Sequence, residues 1–297
     1  MQTGIVYAAL AYVCWGLFPL YFHQVAQVPA LEVVMHRTVW SLVLLLGVLA
    51  VRRHWAWLGA ALRSPRVLGT FALSALLLAA NWLTYVWAVH HQHVVDASLG
   101  YFILPLMHVA MGYAVLKERP RRGQWAAVAL AALGVAWLTL QAGRLPWIAL
   151  VLALTFGIYG LLRKTASLGA LEGLALETLL LAPVAAVLLA WWGAQGQGAL
   201  VLGPPSLVVW LVLAGPATAI PLLLFAAGAR RIPMATLGLL QYISPTLQFA
   251  LGVWVFHEAF DPARLAGFVF IWAALVLYSV EGWWQSRRPT AGAAAVP

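Results

Sequence analysis

The chain has 297 residues, of which 64% are hydrophobic and only 8% charged, and its mean hydropathy is +0.91. A soluble domain is about half apolar and a quarter charged, so the composition excludes one. Apolar runs of about 20 residues recur throughout, each able to cross a bilayer core of about 30 Å, which marks an all-α polytopic membrane protein rather than a β-barrel of short alternating strands.

Taken in order, ten spans are expected, at residues 3–22, 32–51, 67–89, 94–116, 123–141, 145–163, 171–192, 207–229, 234–256 and 265–283. The first has no Lys or Arg ahead of its apolar run and no small-residue cleavage site, so it reads as a spanning helix and not a removed leader. Its Cys14, the single cysteine, excludes a disulfide framework or a Cys-rich metal site. The second span contains "HRTVWS" (36–41), with Arg37 inside an apolar run. Residues 52–66 form the longest linker and read as an interfacial stretch with Trp55 and Trp57 at headgroup level. "HHQH" (90–93) reads as a solvated turn in preference to a metal or pH-sensing cluster. Trp191, Trp192, Trp283 and Trp284 stand at span ends as interfacial anchors. Residues 285–297 read as a disordered tail.

Of the 17 Lys and Arg residues, fourteen fall on the side of the N-terminus, only Arg144 and Arg264 fall on the other, and Arg37 lies within a span. Cytoplasmic segments carry the excess of Lys and Arg, so both termini are expected in the cytoplasm. Topology thereby accounts for the +9 formal charge without a nucleic-acid partner.

The chain also repeats. "ASLG" (97–100) recurs as "ATLG" (235–238), the "LP" of Pro105 as the "SP" of Pro245, and "ALAYVCWGL" (9–17) as "ALTFGIYGL" (153–161). Residues 1–142 and 143–284 are thus expected to be two five-helix copies. Five is odd, so the copies are inverted, a plan that places substrate near the midplane at the repeat interface. One chain suffices for this two-repeat fold.

At a spacing of 140 residues Arg37 matches Glu177. Ionisable residues within a membrane are costly and are functional candidates by default. Each lies about 7–8 Å in from opposite faces, which separates them by roughly 15 Å in height, so a direct pair is not required. Glu177 is the proton-coupling candidate, since a carboxylate can give up and retake a proton. Arg37 cannot, and would bind or organise an anion. His108 and Gln248 match at the same spacing. Gln241, Tyr242 and Tyr101 lie near them, and Asn81 and Tyr85 form an i,i+4 pair. These groups serve either a polar cavity or helix–helix hydrogen bonding. Trp15 and Tyr159 sit at matching places in the repeat-initiating spans and read as core packing or cavity wall.

Together "AYVCWGLFPLYF" (11–22), "HRTVWS" (36–41), "NWLTYVWAV" (81–89), "ASLGYFILPL" (97–106), "YGLLRK" (159–164), "GLALETLLLAP" (173–183) and "TLGLLQYISPTLQF" (236–249) resemble the RarD-type proteins of the EamA group, in the drug/metabolite transporter superfamily. The resemblance spans residues 3–288. It implies ten helices in two inverted repeats around a central cavity, a bacterial inner-membrane location, and a permease or exporter of small metabolites or drugs. It supplies no catalytic residues.

The function expected is secondary transport of a small molecule by alternating access, with no cofactor or metal. There is no P-loop, so ATP is not the driver within this chain. An intramembrane enzyme is the least favoured alternative, since neither G-x-S-x-G nor H-E-x-x-H occurs. A sensor or scaffold would call for a soluble domain or long loops.

Overall fold

A computed structural model describes residues 2–90, 94–141, 147–257 and 262–287. Residues 91–93, Arg144, Glu258 and the residues beyond 287 lie outside them, as do the side chains of Ser98, Asp96, Arg264 and Trp283. The described residues are helical: α1 (Gln2–Gly16), α2 (Phe18–Gln24), α3 (Ala30–Val51), α4 (Ala56–Arg63), α5 (Pro65–His90), α6 (Val94–Ala114), α7 (Arg122–Gln141), α8 (Trp147–Thr165), α9 (Ala170–Ala194), α10 (Ala199–Leu202), α11 (Pro205–Ala229), α12 (Met234–Gln241), α13 (Ile243–Trp254) and α14 (Pro262–Arg287).

Among the described residues, seven helical stretches are long and apolar enough to cross a membrane: Gln2–Gln24, Ala30–Val51, Pro65–Tyr85, Arg122–Gln141, Trp147–Thr165, Ala170–Ala194 and Pro205–Ala229. Shorter apolar helices, Gly100–Ala114 and Leu265–Glu281, lie where further spans were expected. The protein is therefore a multi-pass membrane protein. The expected span over 234–256 differs in kind: it is broken at Tyr242 into α12 and α13. Pro245 has no N–H to return to the Gln241 carbonyl, and the chain turns there through a tighter bond, Tyr242 N to Leu239 O at 3.3 Å. The expected interfacial stretch at 52–66 contains a helix of its own, α4. Trp55 is exposed there, while Trp57 donates its indole N–H to the His54 carbonyl at 2.9 Å.

Two contacts set the direction of the central helices. Glu32, near the start of α3, accepts a hydrogen bond from Ala199 N, beyond the end of α9, at 2.6 Å. Glu172, near the start of α9, meets His54, beyond the end of α3, at 2.9 Å. The helices α3 and α9 pack together and so run antiparallel. The remaining pairings come in matched sets. α1 lies on α11 as α8 lies on α5, α11 lies on α3 as α5 lies on α9, and α6 lies on α8 as α12 and α13 lie on α1. α7 and α14 pair with each other, brought close by glycine. A Cβ on Gly134 would lie 2.8 Å from the Gly267 carbonyl oxygen, the close approach that small residues permit between helices in lipid.

Candidate functional site

A cavity of about 800 Å³ lies among α1, α2, α3, α5, α6, α8, α11, α12 and α13. It is bounded at one end of the bundle by residues 25–30, the connection from α2 into α3. Proline shapes one wall. Pro19 in α2 has no N–H for the Trp15 carbonyl one turn back, and Gln248 of α13 satisfies that oxygen through its Nε2 at 3.1 Å. A break in one element is thus bound to the element beyond the Tyr242 break.

Seven of the expected site residues stand on this wall. Trp15, Arg37, Asn81, Tyr85 and Tyr101 come from the first half of the chain, and Gln241 and Gln248 from the second. Trp15 and Phe156 on the wall are backed by a further ring: the Trp15 ring lies 5.6 Å from both Phe156 and the buried Phe225. Asn81 ties α5 to α8, its Nδ2 donating to Leu152 O at 2.9 Å and to Thr155 Oγ1 at 3.0 Å.

Among the described residues Arg37 is the one charged residue of the wall, and it is 8% exposed. Its Nε donates to Thr218 Oγ1 at 2.8 Å, and its guanidinium carbon lies 4.1 Å from the Trp82 ring centroid. The Phe18 and Phe22 rings stand 5.5 and 5.7 Å away. Among the described residues no carboxylate pairs with it.

The other four expected residues lie off the large cavity. Tyr159 stacks on Phe225 with centroids 6.1 Å apart. His108 is fully buried against the same ring at 6.4 Å, and a Cβ on Gly160 would sit 2.8 Å from its Nε2. The Tyr242 hydroxyl donates to the Phe102 carbonyl at 3.2 Å. Glu177, 1% exposed, does not pair with Arg37. It accepts from Ser74 Oγ at 2.5 Å and faces Arg163 Nη1 at 3.5 Å. Glu177 and Arg37 nevertheless face one small cavity of about 20 Å³ between α3, α5, α9 and α11.

Arg163, one of the fourteen Lys and Arg residues assigned to the side of the N-terminus, is 1% exposed, and its Nη2 donates to the Ala170 carbonyl at 2.9 Å. Gly173 makes room for it, since a Cβ there would lie 2.0 Å from Arg163 Nη1. The signal in the sequence was the short connection from α8 to α9, which brings Arg163 back beside the turn that carries Glu177. Lys164, its neighbour, is also engaged. It donates to the carbonyls of Ala229 and Ile232 and lies 3.7 Å from Glu118. Glu118 in turn accepts from Met234 N at 2.8 Å, capping the start of α12.

This arrangement holds a largely apolar chamber, rich in aromatic rings and with one cation among its described residues, and an ion pair nearer the opposite end. Among the described residues no group of three or more His, Cys, Asp or Glu is placed to hold a metal.

The comparisons with known proteins define the class. The model of the EamA-like transporter family matches residues 2–140. A transporter of Pseudomonas aeruginosa is 48% identical, covering 97% of each chain. Protein RarD of Streptomyces exfoliatus is 47% identical over 98% of this chain and 92% of its own, and protein RarD of Escherichia coli 40% identical over 97% of each. The chain therefore belongs to the RarD-type proteins of the EamA-like transporter family. A solved crystal structure, 18% identical, covers 94% of this chain and 98% of its own at a TM-score of 0.70, which shows a shared fold.

Proposed function

We propose that the protein is a secondary transporter that moves a small metabolite or drug across the bacterial inner membrane by alternating access, with the 800 Å³ cavity as its substrate site. The observation that carries this reading is the origin of the wall. Both halves of the chain build it, and the helix pairings of one half are matched in the other. Binding at the interface of two inverted five-helix repeats, residues 1–142 and 143–284, is the arrangement on which rocking exposes one site to either side. With both termini cytoplasmic, the end bounded by residues 25–30 faces away from the cytoplasm. The Arg163–Glu177 pair then stands at the cytoplasmic end and holds it shut. Proton coupling belongs to the same reading: a proton taken up by Glu177 would remove its attraction to Arg163 and release that end.

Leu222 tests the reading, because it is 3% exposed and lies on both the large and the small cavity. In a Cys14→Ser background, Leu222→Cys is treated in membrane vesicles of each orientation with a membrane-impermeant thiol reagent. Reaction from both faces is expected for alternating access. Reaction from one face alone would instead fit a sensor or scaffold and would overturn transport.

A further inference from the structure

The chemical class of the substrate follows from what Arg37 lacks, given the transporter reading above. A permanently charged guanidinium that is 8% exposed ordinarily finds a carboxylate or several carbonyls. Among the described residues Arg37 spends only its Nε on a hydrogen bond, toward Thr218 Oγ1 at 2.8 Å. Its Nη atoms donate to no acceptor among the described residues. They are also not sealed in the packing, because Arg37 contributes surface to both cavities.

The surroundings hold the cation in place without neutralising it. Trp82 at 4.1 Å and the rings of Phe18 and Phe22 support the guanidinium face through cation–π attraction. The phenols of Tyr85 and Tyr101, packed edge to face at 6.1 Å, share the same wall. Neither forms a hydrogen bond among the described residues, so two more O–H donors remain beside the cation. Donors in this number suit an oxyanion. The rest of the chamber is mainly Trp, Phe and aliphatic, with the neutral amides of Asn81, Gln241 and Gln248 among them, suited to a mostly apolar body. Among the described residues no Asp or Glu lines the chamber, so an ammonium group would find no counter-charge there and would face Arg37 at a disadvantage.

We propose that the cavity selects a small organic monoanion, a carboxylate or comparable oxyanion on an aromatic or aliphatic body, with the anionic group at Arg37 and the body against Trp15 and Phe156. Amines and amino-acid zwitterions are disfavoured, because the site offers positive charge and hydrogen-bond donors but no acid.

Four arenes of one size separate these classes: phenylacetate, 2-phenylacetamide, phenethylamine and phenylalanine. Each is titrated against the full chain in lipid nanodiscs, following the tryptophan fluorescence to which Trp15 and Trp82 contribute. Phenylacetate is expected to bind at least about tenfold more tightly than the amide, the lower bound for one charge-assisted hydrogen bond, and the amine and zwitterion more weakly still. Arg37→Gln should erase the preference for the carboxylate over the amide. Arg37→Lys, which keeps the charge, should retain part of it and controls for folding. Equal binding of amide and carboxylate, a preference that survives Arg37→Gln, tighter binding of the amine or zwitterion, or no binding of phenylacetate at millimolar concentration would each overturn the assignment. Phenylacetate that binds as expected but does not cross proteoliposome membranes would count against transport and leave the anion site standing.

Discussion

The ion pair between Arg163 and Glu177 invites removal one partner at a time. Both side chains are 1% exposed, with 3.5 Å between nitrogen and oxygen. Replacing Arg163 by Gln strands a buried carboxylate, which costs about 3–5 kcal/mol when one member of a buried pair is lost. The separation is longer than the 2.7–2.9 Å of a good charge-assisted bond. Glu177 also keeps the Ser74 hydroxyl at 2.5 Å, so the expected cost sits at the lower end, about 3 kcal/mol. Glu177→Gln alone leaves Arg163 its bond to the Ala170 carbonyl and should cost less. The double variant carries neither stranded charge. It should recover about 0.5–3 kcal/mol relative to the sum of the singles, the coupling expected of groups in direct contact. Equilibrium unfolding of purified protein in mixed micelles, followed by near-ultraviolet circular dichroism, measures all three. Additivity to within about 0.5 kcal/mol would refute the idea that the two groups hold this end together.

Three further outcomes are expected. Gly173→Ala places a methyl group 2.0 Å from Arg163 Nη1 and 2.6 Å from the Phe71 ring, so it should lower stability nearly as much as Arg163→Gln, by about 2–3 kcal/mol, in the same unfolding assay. Asn81→Leu removes two donors that join α5 to α8, and should cost about 1–2 kcal/mol; an unchanged midpoint would show that these bonds carry nothing. Under an imposed pH gradient in proteoliposomes, Glu177→Gln should abolish gradient-driven substrate flux while exchange without a gradient persists. Flux that still follows the gradient would remove Glu177 from proton coupling.

Much of the membrane architecture was legible in the sequence, because uninterrupted apolar runs admit little besides helices in lipid. Arg37 stood out for the same reason: a charge in such a run is conspicuous. The break at Tyr242 was less visible, since Pro245 alone marks it and proline is tolerated inside spanning helices, as at Pro216 and Pro221 within α11. Arg163 was hidden by its neighbours. Beside Lys164 at the end of a span, it has the form of an ordinary charge at a membrane surface. Its burial depends on a three-dimensional fact, the return of α9 alongside α8 with Gly173 leaving space, that no local pattern displays. The pairing of Arg37 with Glu177 in the repeat is a correspondence of position and not of contact. Each found its partner on a different helix, Thr218 on α11 for one and Ser74 on α5 for the other.

The matched helix pairings have a thermodynamic consequence. If the two halves exchange roles during a transport cycle, their common framework contributes nearly equally to both states, and the resting populations are set by the residues that break the correspondence. The spacing of 140 residues pairs Glu177 with Arg37, and the spacing of 144 that relates 9–17 to 153–161 pairs Arg163 with Pro19, so the attraction between Arg163 and Glu177 at one end has no equivalent at the other, where a proline and a guanidinium occupy the corresponding places. A difference of a few kcal/mol is enough to keep the less favoured state at 0.1–10% of molecules. Under that exchange the direction of the resting bias would be set by these four side chains, and an anion that neutralises Arg37 would act on that balance as well as on occupancy.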